Sequence, residues 1–436
     1  MLVYLLCYAA AWIFAESSHY YCSGLSLLAA AAWLYREDYI KSGNMLHLRA
    51  LFSLAFVGGQ GLAALKLSRL GQDWSVMTWL SFLAAYAGFY AVFWYLEKES
   101  GPKGRRNTVR YHSFEEAKAP VFFAACAITV VSAGCFIIEA AALGFIPLFM
   151  RGVPHAYSHF HMTGIHYFTV SCVLVPSLAV IFFCIDRGRD RMRTVVMAVL
   201  CIVAFLIPVL CVSRSQLLFA VLLAVLTYSQ MESRLNILYA GAALLALIPL
   251  YVLLTVARSH DIAYLNAVFE MKREGMPIFI TQPYMYIANN YDNFNCLVSE
   301  LGGHTWGMKM LAPLWTLSGL KFLFPSLTAA PVFVNKEELT TLTMFYDAYY
   351  DFGLPGVLLF SCLLGAAAFF LMQQMENVRN PVFYLLYAQM ALYLMLSFFT
   401  TWFSNPTTWF YLAVTAGSAF LASFRWGGTG RRMRRR

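Results

Sequence analysis

Charge is what this sequence has least of. Only 12% of its 436 residues are Asp, Glu, Lys or Arg, against 60% apolar, and the mean hydropathy is +0.63. A water-soluble domain carries about twice that share of charge, so a polytopic membrane protein is expected instead.

Clustered cysteine chemistry is missing too. Ten cysteines are scattered with no C-x-x-C and no metal-ligand spacing. Cys126, Cys172, Cys201 and Cys362 fall inside apolar runs, where a thiol behaves as a small hydrophobe. Cys22 and Cys296 lie nearest to aqueous faces, and free thiols are expected there rather than a disulfide. No basic stripe interleaved with aromatics continues over a polar segment, which argues against nucleic acid despite a net charge of +9. The first apolar run lacks a basic leader and an A-x-A site, so a retained first helix is expected. There are no duplicated halves, and the one low-complexity tract is the tail R-R-M-R-R-R, suited to anionic headgroups.

Long apolar runs are abundant. They predict twelve spans, at 1–15, 20–35, 46–66, 74–96, 119–143, 163–185, 195–212, 215–230, 235–257, 348–372, 381–402 and 407–424. Each is long enough, or nearly so, to cross a hydrocarbon core, which needs about 20 helical residues. Unbroken runs point to helices rather than a barrel, so the predicted class is an all-α polytopic membrane protein. The polar joints alternate in charge, and one side holds 21 of the 31 Lys and Arg residues. By the positive-inside rule that side is cytoplasmic, with both termini on it. On the other side the connections are short except for 258–342, between the ninth and tenth spans. A loop of that length is usually functional. Its apolar stretch 310–324 can lie on the membrane surface as an amphipathic helix.

Ionisable side chains near the outer ends of spans are the candidates for chemistry. Arg214 interrupts the hairpin V-S-R-S-Q-L-L, Arg258 opens the long loop in A-R-S-H-D, and Arg151 follows L-G-F-I-P-L-F-M. Each has two readings: an arginine snorkelling to headgroups, or a planar guanidinium gripping a phosphate bidentately. His155, His159, His161 and His166 crowd one segment, but with no carboxylate or cysteine beside them in sequence a metal site is the minority reading. In the loop, Y-I-A-N-N-Y-D-N-F-N offers Asn290, Tyr291 and Asp292, which suit sugar hydroxyls and ring faces, or else are simply turn formers. At 343–356, T-M-F-Y-D-A-Y-Y-D-F-G-L-P-G places Asp347 and Asp351 one helical turn apart on one face, beside Tyr350. One acid there is explained by the helix dipole; two among tyrosines suggest a general base or a sugar-hydroxyl ligand. Gly353 and Gly356 are expected to let a neighbouring helix approach.

Four of these pieces, in order, resemble the bacterial oligosaccharide repeat unit polymerases, the Wzy-type O-antigen polymerases. They are G-F-I-P-L-F at 144–149, S-R-S-Q-L-L at 213–218, R-S-H-D at 258–261 and Y-Y-D-F-G-L-P-G at 349–356. The resemblance covers about 120–424. It implies a membrane glycosyltransferase of GT-C-type architecture with about twelve helices in the bacterial cytoplasmic membrane. Such an enzyme transfers a glycan from undecaprenyl diphosphate to an incoming lipid-linked repeat unit, without a metal or other cofactor. It also implies a chain-length regulator and a flippase as partners. Carried onto this chain, Arg214 and Arg258 match the diphosphate holders and Arg151 is a third. Asp351, Asp347 or His304 would take the acceptor proton. The similar O-antigen ligases present a histidine in the big loop, as His304 does here, which keeps a ligase as the alternative. A lipid-linked oligosaccharide flippase, or another twelve-helix transporter, is the second alternative. Against it, the long outer loop breaks the half-to-half symmetry such carriers show.

Overall fold

The computed structural model describes residues 1–100, 111–150, 156–232, 262–273, 275–328 and 330–423. Among these residues there are helices but no strands. Six helices are long and apolar enough to cross a membrane: Val76–Glu99, Phe114–Leu143, Ile165–Asp186, Arg191–Leu210, Arg214–Glu232 and Tyr346–Asn377. Leu2–Glu16, Leu48–Ala64 and Phe383–Met395 are apolar but shorter. The expected run 235–257 lies outside the described residues.

Helix Arg191–Leu210 shows why lipid is the solvent. Val195, Val199, Ile202 and Leu206 form an outward stripe, while Met197, Ala204 and Ile207 are buried. A water-soluble helix would turn that stripe inward.

The chain divides into two compact units. The first comprises Met1–Arg105, His260–Gln374 and Met390–Trp409. Its helices are α1 (Leu2–Glu16), α2 (Tyr20–Ser42), α3 (Leu48–Ala64), α4 (Val76–Glu99), α5 (Ile262–Phe269), α6 (Ile278–Glu300), α7 (Ala312–Leu317), α8 (Leu320–Leu323) and α9 (Tyr346–Gln374). Small residues bring α4 and α9 together: a Cβ on Gly365 would stand 2.5 Å from the Phe89 carbonyl oxygen. Ser361 donates across the same contact to the Ala85 carbonyl. Beside this pair Phe52, Phe56, Phe82, Tyr291 and Phe345 form an aromatic core, with ring centroids 5.0–6.1 Å apart along the chain of contacts.

The segment expected as an open polar loop around Asn290 is instead the middle of α6, deep in this unit. Its amides donate to buried backbone carbonyls and its carboxylate accepts from a buried lysine and tryptophan, rather than forming turns. The Phe383–Met395 helix stops well short of the expected 402. At about 1.5 Å per residue its thirteen residues reach about 20 Å, less than a hydrocarbon core. Beyond it the chain opens: Met344 N donates to the Ser397 carbonyl at 2.8 Å, and Asn290 Nδ2 to the Phe398 carbonyl at 2.6 Å.

The second unit comprises Arg106–Ser259, Met375–Gln389 and Phe410–Arg436. Within it Lys118–Leu143 packs on Ile165–Asp186 through Ser132, whose hydroxyl donates to the Phe168 carbonyl at 2.7 Å. Lys118 pairs with the buried Asp186 at one end of this pair. All described cysteines are free; Cys22 is exposed and Cys296 buried.

Candidate active site

The head of α9 carries Y-D-A-Y-Y-D-F-G-L-P-G. Residues 346–352 make nearly two helical turns, then Gly353 breaks the helix at φ 62°, ψ −149°. That conformation is essentially open to glycine alone. Pro355, with no amide hydrogen to lose, sits where the helix restarts. Gly356 meets the Ala348 carbonyl of the same segment, where a Cβ would stand at 2.3 Å, so its approach partner is its own chain rather than another helix. What approaches Gly353 is a side chain, the His304 ring, whose Nε2 would be 3.0 Å from an added Cβ.

Asp351 is wholly buried and fully engaged. Its Oδ1 accepts from Thr305 Oγ1 at 2.5 Å and Lys309 N at 3.1 Å, and its Oδ2 from Met310 N at 2.7 Å. Two backbone bonds run alongside, Thr305 N to the Tyr350 carbonyl and Trp306 N to the Asp351 carbonyl. The carboxylate therefore pins the turn 305–310 to the head of α9. Trp306 and Gly307 in that turn have φ of 53° and 102°.

Asp347, one turn earlier, is buried on the same side, near Thr401 and Ser404. Lys309 completes the cluster. Its ammonium lies 4.9 Å from the Tyr350 ring centroid and donates to the Ala330 carbonyl at 3.0 Å. Burial pushes the Lys309 ammonium below its usual pKa, while the charges of Asp347 and Asp351 hold it up.

His304 is exposed. Its Nδ1 lies 3.2 Å from the Tyr350 carbonyl oxygen. A carbonyl can only accept, so Nδ1 carries a hydrogen and, in the neutral ring, Nε2 is the nitrogen with the lone pair. The Trp306 and Tyr349 rings flank it at 6.5 and 6.1 Å. Asp347, Tyr350, Asp351 and His304 are thus brought together within one unit.

The other expected sugar ligands lie elsewhere in the same unit, inside it. Tyr291 donates to the Phe56 carbonyl at 2.7 Å. Asp292 accepts from Lys66 and from Trp74 Nε1, each at 2.8 Å, with Lys66 also 4.7 Å from the Trp74 ring centroid. Asn290 donates to the Tyr286 and Phe398 carbonyls and accepts from Thr341. All three are buried with protein partners.

Compared with known proteins, the chain matches no family model, no curated protein and no solved structure. The site's meaning rests on its own geometry.

In the second unit Arg214 is half-buried at the first turn of Arg214–Glu232. Arg151, Arg258 and His155 lie outside the described residues. The histidine segment does have a carboxylate, which sequence distance concealed. Glu139, fully buried, accepts from Met162 N at 3.0 Å, Thr169 Oγ1 at 2.7 Å and His166 Nδ1 at 3.1 Å. The His161 ring stands edge-on to His166 at 5.0 Å. Glu139 is the lone acid in an otherwise apolar run, and that isolation was the available signal. Thr305, Lys309, Thr401 and Ser404 had no comparable signature.

Proposed function

We propose that this chain is a membrane glycosyltransferase of the polymerase type. It would extend undecaprenyl-diphosphate-linked oligosaccharides, O-antigen or a related surface polysaccharide, at the outer face of a bacterial cytoplasmic membrane. The observation that carries the reading is His304: an exposed imidazole with Nδ1 tied to a backbone carbonyl and Nε2 without a hydrogen-bond partner among the described residues, beside two buried carboxylates at the head of a membrane helix. That is the arrangement of an oriented general base.

In the proposed reaction the acceptor sugar hydroxyl attacks the anomeric carbon of the donor glycan. The anomeric C–O bond to the diphosphate breaks, and its electron pair leaves with undecaprenyl diphosphate. His304 Nε2 takes the hydroxyl proton. Asp351 is a positioning residue, because its oxygens are already committed to the turn that carries Thr305 and Lys309. Asp347 and Lys309 set the local charge, the buried Tyr350 ring lies against the Lys309 ammonium, and Trp306 offers a ring face to a sugar. Arg214, Arg258 and Arg151 are the proposed diphosphate holders, since a fixed guanidinium stabilises the departing charge without reorganising. Twelve spans, GT-C-type architecture, cytoplasmic termini, no requirement for a cofactor and a chain-length regulator as partner belong to the same proposal.

A ligase is the second reading, favoured by one feature: the loop histidine is the residue tied to the D-F-G segment. Purified protein in lipid vesicles, supplied with lipid-linked repeat units, separates the readings. Longer lipid-linked chains support the polymerase, and transfer to a lipid A core acceptor supports the ligase. Movement across the bilayer with no new glycosidic bond would make the chain a flippase and end the proposal.

A further inference from the structure

Beyond the turn pinned by Asp351 the chain runs through L-A-P-L-W-T-L-S-G-L-K-F-L-F-P-S-L-T, eighteen residues at 311–328 with a single charge, Lys321. It folds not as the one amphipathic helix expected but as α7 and α8, divided at Gly319, whose φ is 79°. Both helices leave large apolar side chains outside. Leu314 and Leu317 on α7, and Phe322, Leu323 and Phe324 at α8, point outward, with Leu323 73% exposed. A contiguous patch of this kind demands a partner.

Its attachment indicates which one. Met310 and Lys309 hang by their backbone amides from Asp351, at the head of a helix long and apolar enough to span a membrane. Trp306, 76% exposed, sets its ring edge-on to Phe352 at 6.0 Å. Phe352 is the first of an outward stripe on α9 that continues through Leu359, Leu363 and Phe370. The Trp306–Phe352 contact therefore joins the outward stripe of the span to the turn that leads into the 311–324 segment.

We propose that 306–324 is an interfacial anchor, with its leucines and phenylalanines inserted in the headgroup–acyl boundary of the bilayer beside α9. Helices of six and four residues reach only about 9 and 6 Å, far too short to cross, so they lie along the boundary. Tryptophan favours that depth. Lys321, its ammonium 5.4 Å from the Phe322 ring centroid, has a stem long enough to reach phosphate headgroups while the rings stay below. The anchor holds the turn that carries Thr305 and follows directly on His304, so the bilayer itself steadies the candidate site. The inference does not depend on glycan transfer.

The test uses the full-length protein in phosphatidylethanolamine–phosphatidylglycerol vesicles. Cys22→Ser removes the exposed described thiol. Leu323→Cys is then labelled with a nitrobenzoxadiazole fluorophore, with Leu314→Cys as a second position should the first misfold. Glu338→Cys, at an exposed polar position, is the water-facing control; signal from the unsubstituted Cys22→Ser protein is subtracted. The proposal expects blue-shifted emission at 323 and 314, with quenching by shallow doxyl lipids at least threefold stronger than at 338, and weak quenching by aqueous iodide. Iodide quenching equal to that at 338 would overturn it. Shielding from both quenchers would also overturn it, because the face would then be covered by protein, a second copy included.

Discussion

The backbone amide of Met310 donates to the carboxylate of Asp351 at 2.7 Å, across 41 positions of sequence. With the Thr305 hydroxyl and the Lys309 amide it makes Asp351 the clasp between the long loop and the head of α9.

Removing that clasp should cost more than one hydrogen bond. Asp351→Ala leaves two amides and a hydroxyl without their acceptor, at about 1–3 kcal/mol for each that water cannot reach. A loss on the order of 3 kcal/mol is expected, and Asp351→Asn, which keeps one oxygen, should lose less. Thermal unfolding in detergent reads the difference. A midpoint for Asp351→Ala within a degree of the parent would show that the clasp is dispensable.

His304 should behave in the opposite way. It is exposed, so His304→Ala is expected to leave unfolding within about 0.5 kcal/mol. Glycan transfer should fall by roughly 10²–10⁴, the span of a lost general base. Retained transfer in the intact variant would remove His304 from the chemistry.

Gly353 couples the two effects. Alanine there must adopt a backbone conformation costing about 1–3 kcal/mol, and its Cβ meets the His304 ring at 3.0 Å. Gly353→Ala should therefore lower both stability and transfer. A crystal or cryo-electron structure of the variant with the His304–Tyr350 contact unchanged would contradict this.

Asp292 separates an interior role from a ligand role. Breaking its buried pair with Lys66 should destabilise by about 3–5 kcal/mol. Asp292→Asn should therefore shift unfolding first. A stable variant with only a raised KM for the lipid-linked sugar would return Asp292 to the substrate.

Glu139 and His166 form a unit that a double-mutant cycle can weigh. Glu139→Gln and His166→Ala should each destabilise, with a coupling of about 1 kcal/mol or more between them. Additive effects would mean that the contact carries no energy of its own.

Hydropathy made the membrane class legible, because lipid-facing helices leave no other use for stripes such as Val195, Val199, Ile202 and Leu206. Helical spacing likewise brought Asp347 and Asp351 to one side. Other features were hidden because their partners are remote. Nothing near Asn290 reveals that it holds the Phe398 carbonyl, 108 residues away. Its Asn-rich surroundings therefore read as a loop when they are the polar seam of a buried helix. Glu139 is hidden from the histidine segment by 27 positions of sequence, and a glycine in a helical run suggests close packing before it suggests a break such as that at Gly353.

That break has a mechanical consequence. Residues 346–352 are clasped to the loop through Asp351, whereas 354–374 belong to the span, and Gly353 is the joint between them. A thicker or thinner bilayer tilts a spanning helix. Here the tilt can be taken up at a single glycine, so the carboxylates keep their register with Thr305 and Lys309 while the rod beneath them leans.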